Sequence, residues 1–504
     1  MLNLAVRNTG KLIRESSKAE NIRLGRLFTK KDTARLMADM IDIDEKKTAY
    51  TVLDAGAGTG ILSAAVIEYI CKSAPACKQI FLTAYECDPR YIPMLEDNLE
   101  RIRKKCRHDY DVRLFVTVYR ENYLTDARKH YTVTFFDVVE DKYDVVISNP
   151  PTELCEKGSE EAVAVGGVSQ LKLSRAFLFA KLASTHVEEG GQLIITLPTT
   201  YASASALAPI RAEIASRLSV DKIHLFVGKQ KNESRAVPLK KNFVISYKNS
   251  PASDTVSIST SEDDGRNVTK LSALPYSFVV AEDGGALTLP KSAEDTKIVR
   301  YISSFPETLS SLGLKMSTGL IVDSKCEGLL FSDPIKGTVP LFRTATLKQG
   351  VVTFPEPTLR KQYIAPISPS LVQKNKNLIL IKRVPAKSDE RFVNAAVHLA
   401  ESLPEAKFIS THNKLNFIDT KNKREEMSAR LAYGILALLN STVYDRYISI
   451  ISKSKQINSK EMRDLPMPPR NIIENMGMRL IAAKDTSVEA CDAIVNPTLH
   501  IIEK

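Results

Sequence analysis

Asn149-Pro150-Pro151-Thr152 closes the apolar run Tyr143-Asp144-Val145-Val146-Ile147-Ser148 and brings two hydrogen-bond acceptors to one point. The run predicts a strand, and its end presents the Asn149 side-chain oxygen beside a backbone carbonyl bracketed by proline. Proline at 150 and 151 fixes φ and removes two backbone donors, so the local surface offers carbonyls to a ligand. Two convergent acceptors suit a planar NH2 group. Alone the tetrapeptide carries little weight, because Asn-Pro is also ordinary turn chemistry. A second motif, about a hundred residues upstream, strengthens it.

That motif, Thr51-Val52-Leu53-Asp54-Ala55-Gly56-Ala57-Gly58-Thr59-Gly60, reads as a strand turning into a helix that continues through Ile61-Leu62-Ser63-Ala64-Ala65-Val66-Ile67. Its glycines let the backbone approach a ligand at the C-terminal edge of a parallel sheet. The spacing is D-x-G-x-G-x-G, not the dinucleotide spacing G-x-G-x-x-G. Asp54 would repel a pyrophosphate and favours a ligand with a cationic amino-acid end, which S-adenosylmethionine has. The next strand, Gln79-Ile80-Phe81-Leu82-Thr83-Ala84-Tyr85, ends in Glu86-Cys87-Asp88 and sets a carboxylate where ribose hydroxyls would bind. Taken by itself, the motif also fits a glycine-rich turn of another nucleotide fold.

Together the two motifs resemble the N6-adenine DNA methyltransferases of type II restriction–modification systems, in the gamma-type order of cofactor motif, catalytic motif and recognition region. Leu53 to Gly60 is similar to their cofactor loop, Glu86 to their ribose-binding acid, and Asn149-Pro150-Pro151 to their catalytic motif. Gly25-Arg26-Leu27-Phe28-Thr29-Lys30-Lys31-Asp32 resembles the F-T-P segment that closes over the methionine end of the cofactor, with Lys30 in place of proline. Glu121-Asn122-Tyr123-Leu124 resembles their D-F-L segment beside the adenine ring. Asn122 stands where an Asp normally accepts from the adenine amino group, and its amide oxygen can still accept. Leu193 to Thr200 is similar to a later strand and proline turn. Leu431 to Ser441 and Gln456 to Pro466 resemble C-terminal segments of the type II subset.

The elements that must position these residues follow from patterning. Residues 1–45 look mostly helical, with helical apolar spacing over 32–41. Strands are expected at 51–54, 80–85, 113–119, 143–148, 192–197, 222–227 and 242–247, alternating with helical segments. This pattern predicts an α/β, Rossmann-like domain with a mainly parallel sheet, whose ligands bind beyond the carboxyl ends of the strands. The polar break Asn249 to Asp254 sets a boundary near 250, giving a catalytic domain over 1–250 and an α+β unit over 251–504. The resemblance implies that this second unit recognises a DNA target.

Composition agrees. A chain of 504 residues needs more than one core. Its 43% hydrophobic and 26% charged content is that of a soluble globular protein. No apolar stretch reaches the ~18 residues that would span a bilayer, and the N-terminus lacks a secretory pattern, so the expectation is a cytoplasmic protein. Seven cysteines without a C-x-x-C pair and scattered histidines indicate neither a disulfide framework nor a metal centre. The net charge of +11 suits a polyanionic partner, although many basic proteins never touch nucleic acid. Lys374, Lys376, Lys382, Arg383 and Lys387 flank the strand-like run 378–381. Lys453, Lys455 and Asn458 lie in a donor-rich turn and are the better candidates for DNA contact.

The chemistry expected is direct methyl transfer from S-adenosylmethionine to the N6 amine of an adenine flipped out of double-stranded DNA. Asn149 and the Pro150 carbonyl would draw the amine toward tetrahedral geometry. Thr152 departs from the family, which carries Tyr or Phe there to stack on the base. Phe226 is the candidate substitute, against the plainer reading of a core residue in a late strand. A glutamine amide in protein, an RNA base amine, or a weakened DNA-binding relative are the competing readings. The second unit of about 250 residues favours DNA. The first 50 residues are too few for a nuclease domain, which leaves cleavage to a separately encoded endonuclease, and a monomer is the default because an asymmetric substrate needs no two-fold axis.

Overall fold

All seven runs expected as strands pair into one sheet, seen in a computed structural model of the chain. The structure describes residues 1–15, 28–126, 132–133, 138–139, 141–166, 172–228, 239–262, 265–271, 273–281, 286–385, 389, 391–422, 424–452, 456–457 and 462–499. The strands are β1 (Ala49–Ala55), β2 (Gln79–Tyr85), β3 (Arg113–Tyr119), β4 (Tyr143–Ser148), β5 (Val187–Pro198), β6 (Ser219–Val227), β7 (Leu239–Lys248) and an additional β8 (Thr255–Ser261). Their order across the sheet is β8-β6-β7-β5-β4-β1-β2-β3. Among these eight strands pairing is parallel except at β7, which runs antiparallel to both β5 and β6; two short strands, Thr269–Lys270 and Leu274–Pro275, also pair antiparallel with β8. The fold is therefore α/β around a mainly parallel sheet.

Burial explains the near-continuous apolar reading of the central strands. Val52, Leu53, Val145, Val146, Ile147, Ile194 and Ile195 are all buried, as expected where helices cover both faces. One layer comprises α1 (Leu2–Glu15), α2 (Lys31–Asp39), α3 (Ile61–Ser73) and α4 (Ile92–Tyr110), whose apolar sides join β1, β2 and β3 in one core cluster. Beyond Asn149-Pro150-Pro151 come α5 (Glu160–Val165) and α6 (Arg175–Ala183), the latter apolar nearly all round and buried to match.

Contacts divide the chain into two compact units, Met1–Ala293 and Glu294–Lys504. The first continues past the polar break at 249–254 because β8 pairs in parallel with β6, Ile258 opposite Ile223. A polar turn marks a chain reversal as readily as a domain boundary, and only the pairing of the strand beyond it separates the two. The second unit is α+β, with a six-stranded and a five-stranded sheet of short strands. It also contains helices α7 (Ala429–Asn440) and α8 (Arg470–Ala483). These two cross so closely that a Cβ on Gly477 would lie 1.8 Å from the Arg430 carbonyl oxygen, and one on Gly434 2.0 Å from that of Ile473.

Candidate active site

Two strand ends open side by side. β4 lies against β1 with Asp54 opposite Ile147, so the turns after both strands emerge at one edge of the sheet. The Ser148 hydroxyl donates to the Ala55 carbonyl at 2.6 Å and ties the two ends together. Between the turns lies a cleft of about 560 Å³ lined by Gly56, Gly58, Glu86, Asn122, Asn149, Pro150, Pro151, Thr152, Phe226 and Thr29. Sequence distance between these residues is large; the parallel crossover removes it.

The glycine turn is built for close approach. Gly56, Gly58 and Gly60 all have positive φ, at 81°, 58° and 82°, where a side chain is strained. A Cβ on Gly58 would meet nothing within 4 Å, so its backbone faces open space, whereas Gly56 has Phe179 at 3.3 Å. The Tyr85 carbonyl accepts from the Gly56 and Ala57 N–H groups at 3.1 and 2.8 Å. Thr59 is held from behind: its hydroxyl meets that of Thr9 on α1 at 2.7 Å, and its carbonyl accepts from Asn98 on α4 at 2.9 Å. Glu86 lies across the turn, its Oε2 accepting from the Gly58 N–H at 2.8 Å and its Oε1 from the Asp88 N–H at 2.7 Å. Both oxygens thus face the turn and the strand end from which it emerges, at the rim of the cleft.

Asp54 sits differently from the sequence expectation. It is fully buried beneath the turn and does not line the cleft. Its Oδ2 accepts from the Ser63 N–H at 3.0 Å and the Ser63 hydroxyl at 2.5 Å, which satisfies an amide in the first turn of α3. The helix has no side-chain cap of its own, because its N-cap is Gly60. Oδ1 has no partner. Burial pushes the carboxyl from its ordinary 3.8 up to about 7; the Ser63 bonds oppose this and the charge of Glu86 adds to it.

Asn149 is oriented by the N-terminal segment. Its Nδ2 donates to the Thr29 hydroxyl at 3.0 Å, which turns the amide so that Oδ1 is the atom left to accept. Thr29, expected beside a cofactor, thus also sets the direction of the Asn149 amide. Pro150 is buried, Pro151 half-buried and Thr152 exposed. The Thr152 carbonyl accepts from the Ser174 hydroxyl at 3.0 Å. Phe226 belongs to the core, as its plainer reading has it, packs edge-on against His224 at 4.9 Å and also lines the cleft. Asn122 accepts from the Leu124 N–H at 3.0 Å and donates to Glu161 at 2.8 Å, so its amide oxygen is already partly committed.

Lys453, Lys455 and Asn458 lie outside the described residues, as do Gly25, Arg26, Leu27 and Lys387. Of the other lysines around residues 378–381, Lys382 pairs with Asp389 at 3.2 Å and Lys376 donates to the Glu425 carbonyl at 2.5 Å. The cleft also includes Phe28, from the segment resembling F-T-P, Tyr85, Thr196 and Asn242, expected only as strand residues, and three that sequence reasoning passed over: Tyr91, Phe179 and Lys241. Phe179 sits at helical spacing among core residues, and Lys241 and Asn242 open an ordinary strand pattern, so nothing in the sequence singles them out.

No family model matches the chain. It is similar to the type II methyltransferase M.BsuBI of Bacillus subtilis, 25% identical over 472 residues covering 91% of this chain and 90% of the relative. It is also similar to the type II methyltransferase M.PstI of Providencia stuartii, 22% identical over 491 residues covering 95% and 94%. Among solved structures, the type IIL restriction–modification enzyme MmeI in complex with DNA aligns with all of this chain and 74% of its own, at TM-score 0.46 and 11% identity. The type IIG restriction endonuclease BpuSI aligns with 93% of this chain and 64% of its own, at TM-score 0.42 and 10% identity.

Proposed function

We propose that this chain, a site-specific DNA methyltransferase of the type II restriction–modification kind that uses S-adenosylmethionine, methylates the N6 amine of an adenine flipped out of the duplex. The observation that carries this is the Asn149 amide, held by Thr29 with its oxygen left to accept, in the same cleft as the Gly58 turn and Glu86. The residues fit the cofactor. Gly58 leaves room for close approach, the Glu86 carboxylate stands at the cleft where ribose hydroxyls would bind, and the Asp54 carboxyl, buried beneath the turn, lends negative potential toward a cationic end without touching it.

Bound S-adenosylmethionine supplies an activated methyl group. The chain supplies position and electrostatics. Adenine N6 is a poor nucleophile because its lone pair is delocalised into the ring. The Asn149 oxygen and the Pro150 carbonyl accept its two hydrogens, free that lone pair and stabilise the positive charge developing on nitrogen. Holding both reactants in one cleft makes the transfer effectively unimolecular. The methylated site protects DNA from a separately encoded endonuclease, and the enzyme acts as a cytoplasmic monomer. Lys453, Lys455 and Asn458 contact the DNA, and residues 251–504 supply the recognition surface.

The test incubates the purified chain with labelled S-adenosylmethionine and unmethylated genomic DNA, then maps modified bases by single-molecule sequencing. N6-methyladenine at one short motif is expected, with loss of about a hundredfold or more in Asn149→Ala. Cofactor binding without DNA label would overturn the assignment and favour a protein or RNA amine.

A further inference from the structure

Glu161 lines neither wall of the cleft, yet it links a residue of one wall to the segment that builds the other. Its Oε1 accepts from Asn122 Nδ2 at 2.8 Å, on the side assigned to the cofactor. Its Oε2 accepts from Arg175 Nε at 2.7 Å. Arg175 in turn holds the chain just after the catalytic motif: its backbone N–H donates to the Glu153 carbonyl at 2.8 Å, and its Nη1 lies 3.5 Å from the Glu153 carboxylate. A two-stranded ribbon, Leu154–Cys155 against Leu173–Ser174, closes the loop, and Ser174 fixes the Thr152 carbonyl at 3.0 Å. The Glu161 side chain is only 14% exposed, so its bonds are shielded from competing water.

We propose that Glu161 and Arg175 are positioning residues that couple the cofactor side of the cleft to its acceptor side. Each group has one discrete set of partners, so displacing Asn122 moves Glu161, and Glu161 moves the arginine that holds Glu153. A ligand that settles Asn122 thereby settles the loop carrying Thr152, and a base seated against Thr152 returns the effect by linkage. This inference rests on the function proposed above.

The test measures binding of S-adenosylhomocysteine to the full chain, alone and with a short duplex carrying the mapped methylation site. In the parent enzyme the duplex tightens binding on the order of tenfold. Glu161→Gln keeps an acceptor for Asn122 but cannot pair with Arg175, and Arg175→Lys loses the guanidinium fork. Both bring the ratio close to one, while Arg175→Lys leaves the affinity without DNA nearly unchanged. A merely structural role would weaken binding with and without DNA alike and preserve the ratio. A preserved ratio in both variants, or no coupling in the parent, overturns the proposal. Failure to map any methylated site instead removes the function on which it rests.

Discussion

Replacing Asp54 by Asn tests whether a buried charge beneath the glycine turn is kept for the cofactor. In the folded chain this carboxyl titrates at about 7 against an ordinary 3.8, and burial is the main cause. The folded state therefore binds the proton more tightly than the unfolded chain. The associated stability is fully present below about pH 4 and is lost as pH rises through about 7. At about 1.4 kcal/mol per unit of pKa, the charged form costs on the order of 4 kcal/mol above neutrality. Asn is isosteric with the protonated acid, and each places one neutral donor at the unpartnered Oδ1 position. Thermal and urea unfolding without cofactor should show Asp54→Asn more stable than the parent near pH 8, by up to that amount, with the gap closing toward about pH 4. Saturating S-adenosylmethionine should stabilise the parent more than the variant, because only the parent gains a counter-charge for its cationic end. A stability gap independent of pH, or equal cofactor stabilisation of both proteins, would refute the reasoning.

Thr152→Tyr should raise kcat/KM for DNA by roughly 5- to 150-fold, the equivalent of a base stack worth ~1–3 kcal/mol. Unchanged steady-state kinetics would mean that Phe226 already covers the base. Gly477→Ala puts a methyl 1.8 Å from the Arg430 carbonyl oxygen and should destabilise the second unit by about 1–3 kcal/mol, read as a lower urea midpoint. Gly58→Ala meets open space but a φ of +58°, so it should cost only about 1–2 kcal/mol of stability. Cofactor affinity, read by calorimetry, should fall by roughly tenfold or more, since the new methyl occupies the space the ligand approaches.

The sheet and its two functional turns are legible in the sequence because their signals are local. Glycines at 56, 58 and 60 mark a turn of positive φ, and the prolines at 150 and 151 mark a strand end without backbone donors. Asp54 was legible by position but not by exposure: a carboxylate before a glycine turn reads alike whether it faces ligand or helix amides, and its bonds to Ser63 decide the matter. Thr29 carried no sign that it would orient Asn149, because 120 residues separate them and the pairing exists only once the sheet is formed. Phe179, Lys241 and Asn242 were hidden for a different reason. Phe179 stands among core residues and Lys241 and Asn242 lead into the buried run 243–245, and only the crossing of elements shows that they line the cleft. The boundary near 250 failed to separate β8 from its sheet because strand pairing is non-local information.

The bond from Ser148 to Ala55 spans 93 residues, and this sets a timetable for a chain made from its N-terminus. At roughly 5–20 residues per second, that interval takes the ribosome roughly 5–20 s. β1 can pair early with β2, which follows it closely, but its other edge has no partner until β4 has been synthesised. Through those seconds an apolar strand stands with an open edge, the state in which nascent chains recruit chaperones or each other. The glycine turn is thus assembled before the amide that works beside it, and the strand that brings Lys241 and Asn242 arrives later still. A nascent chain arrested between β3 and β4 would hold half a cleft: one wall formed, the other not yet translated.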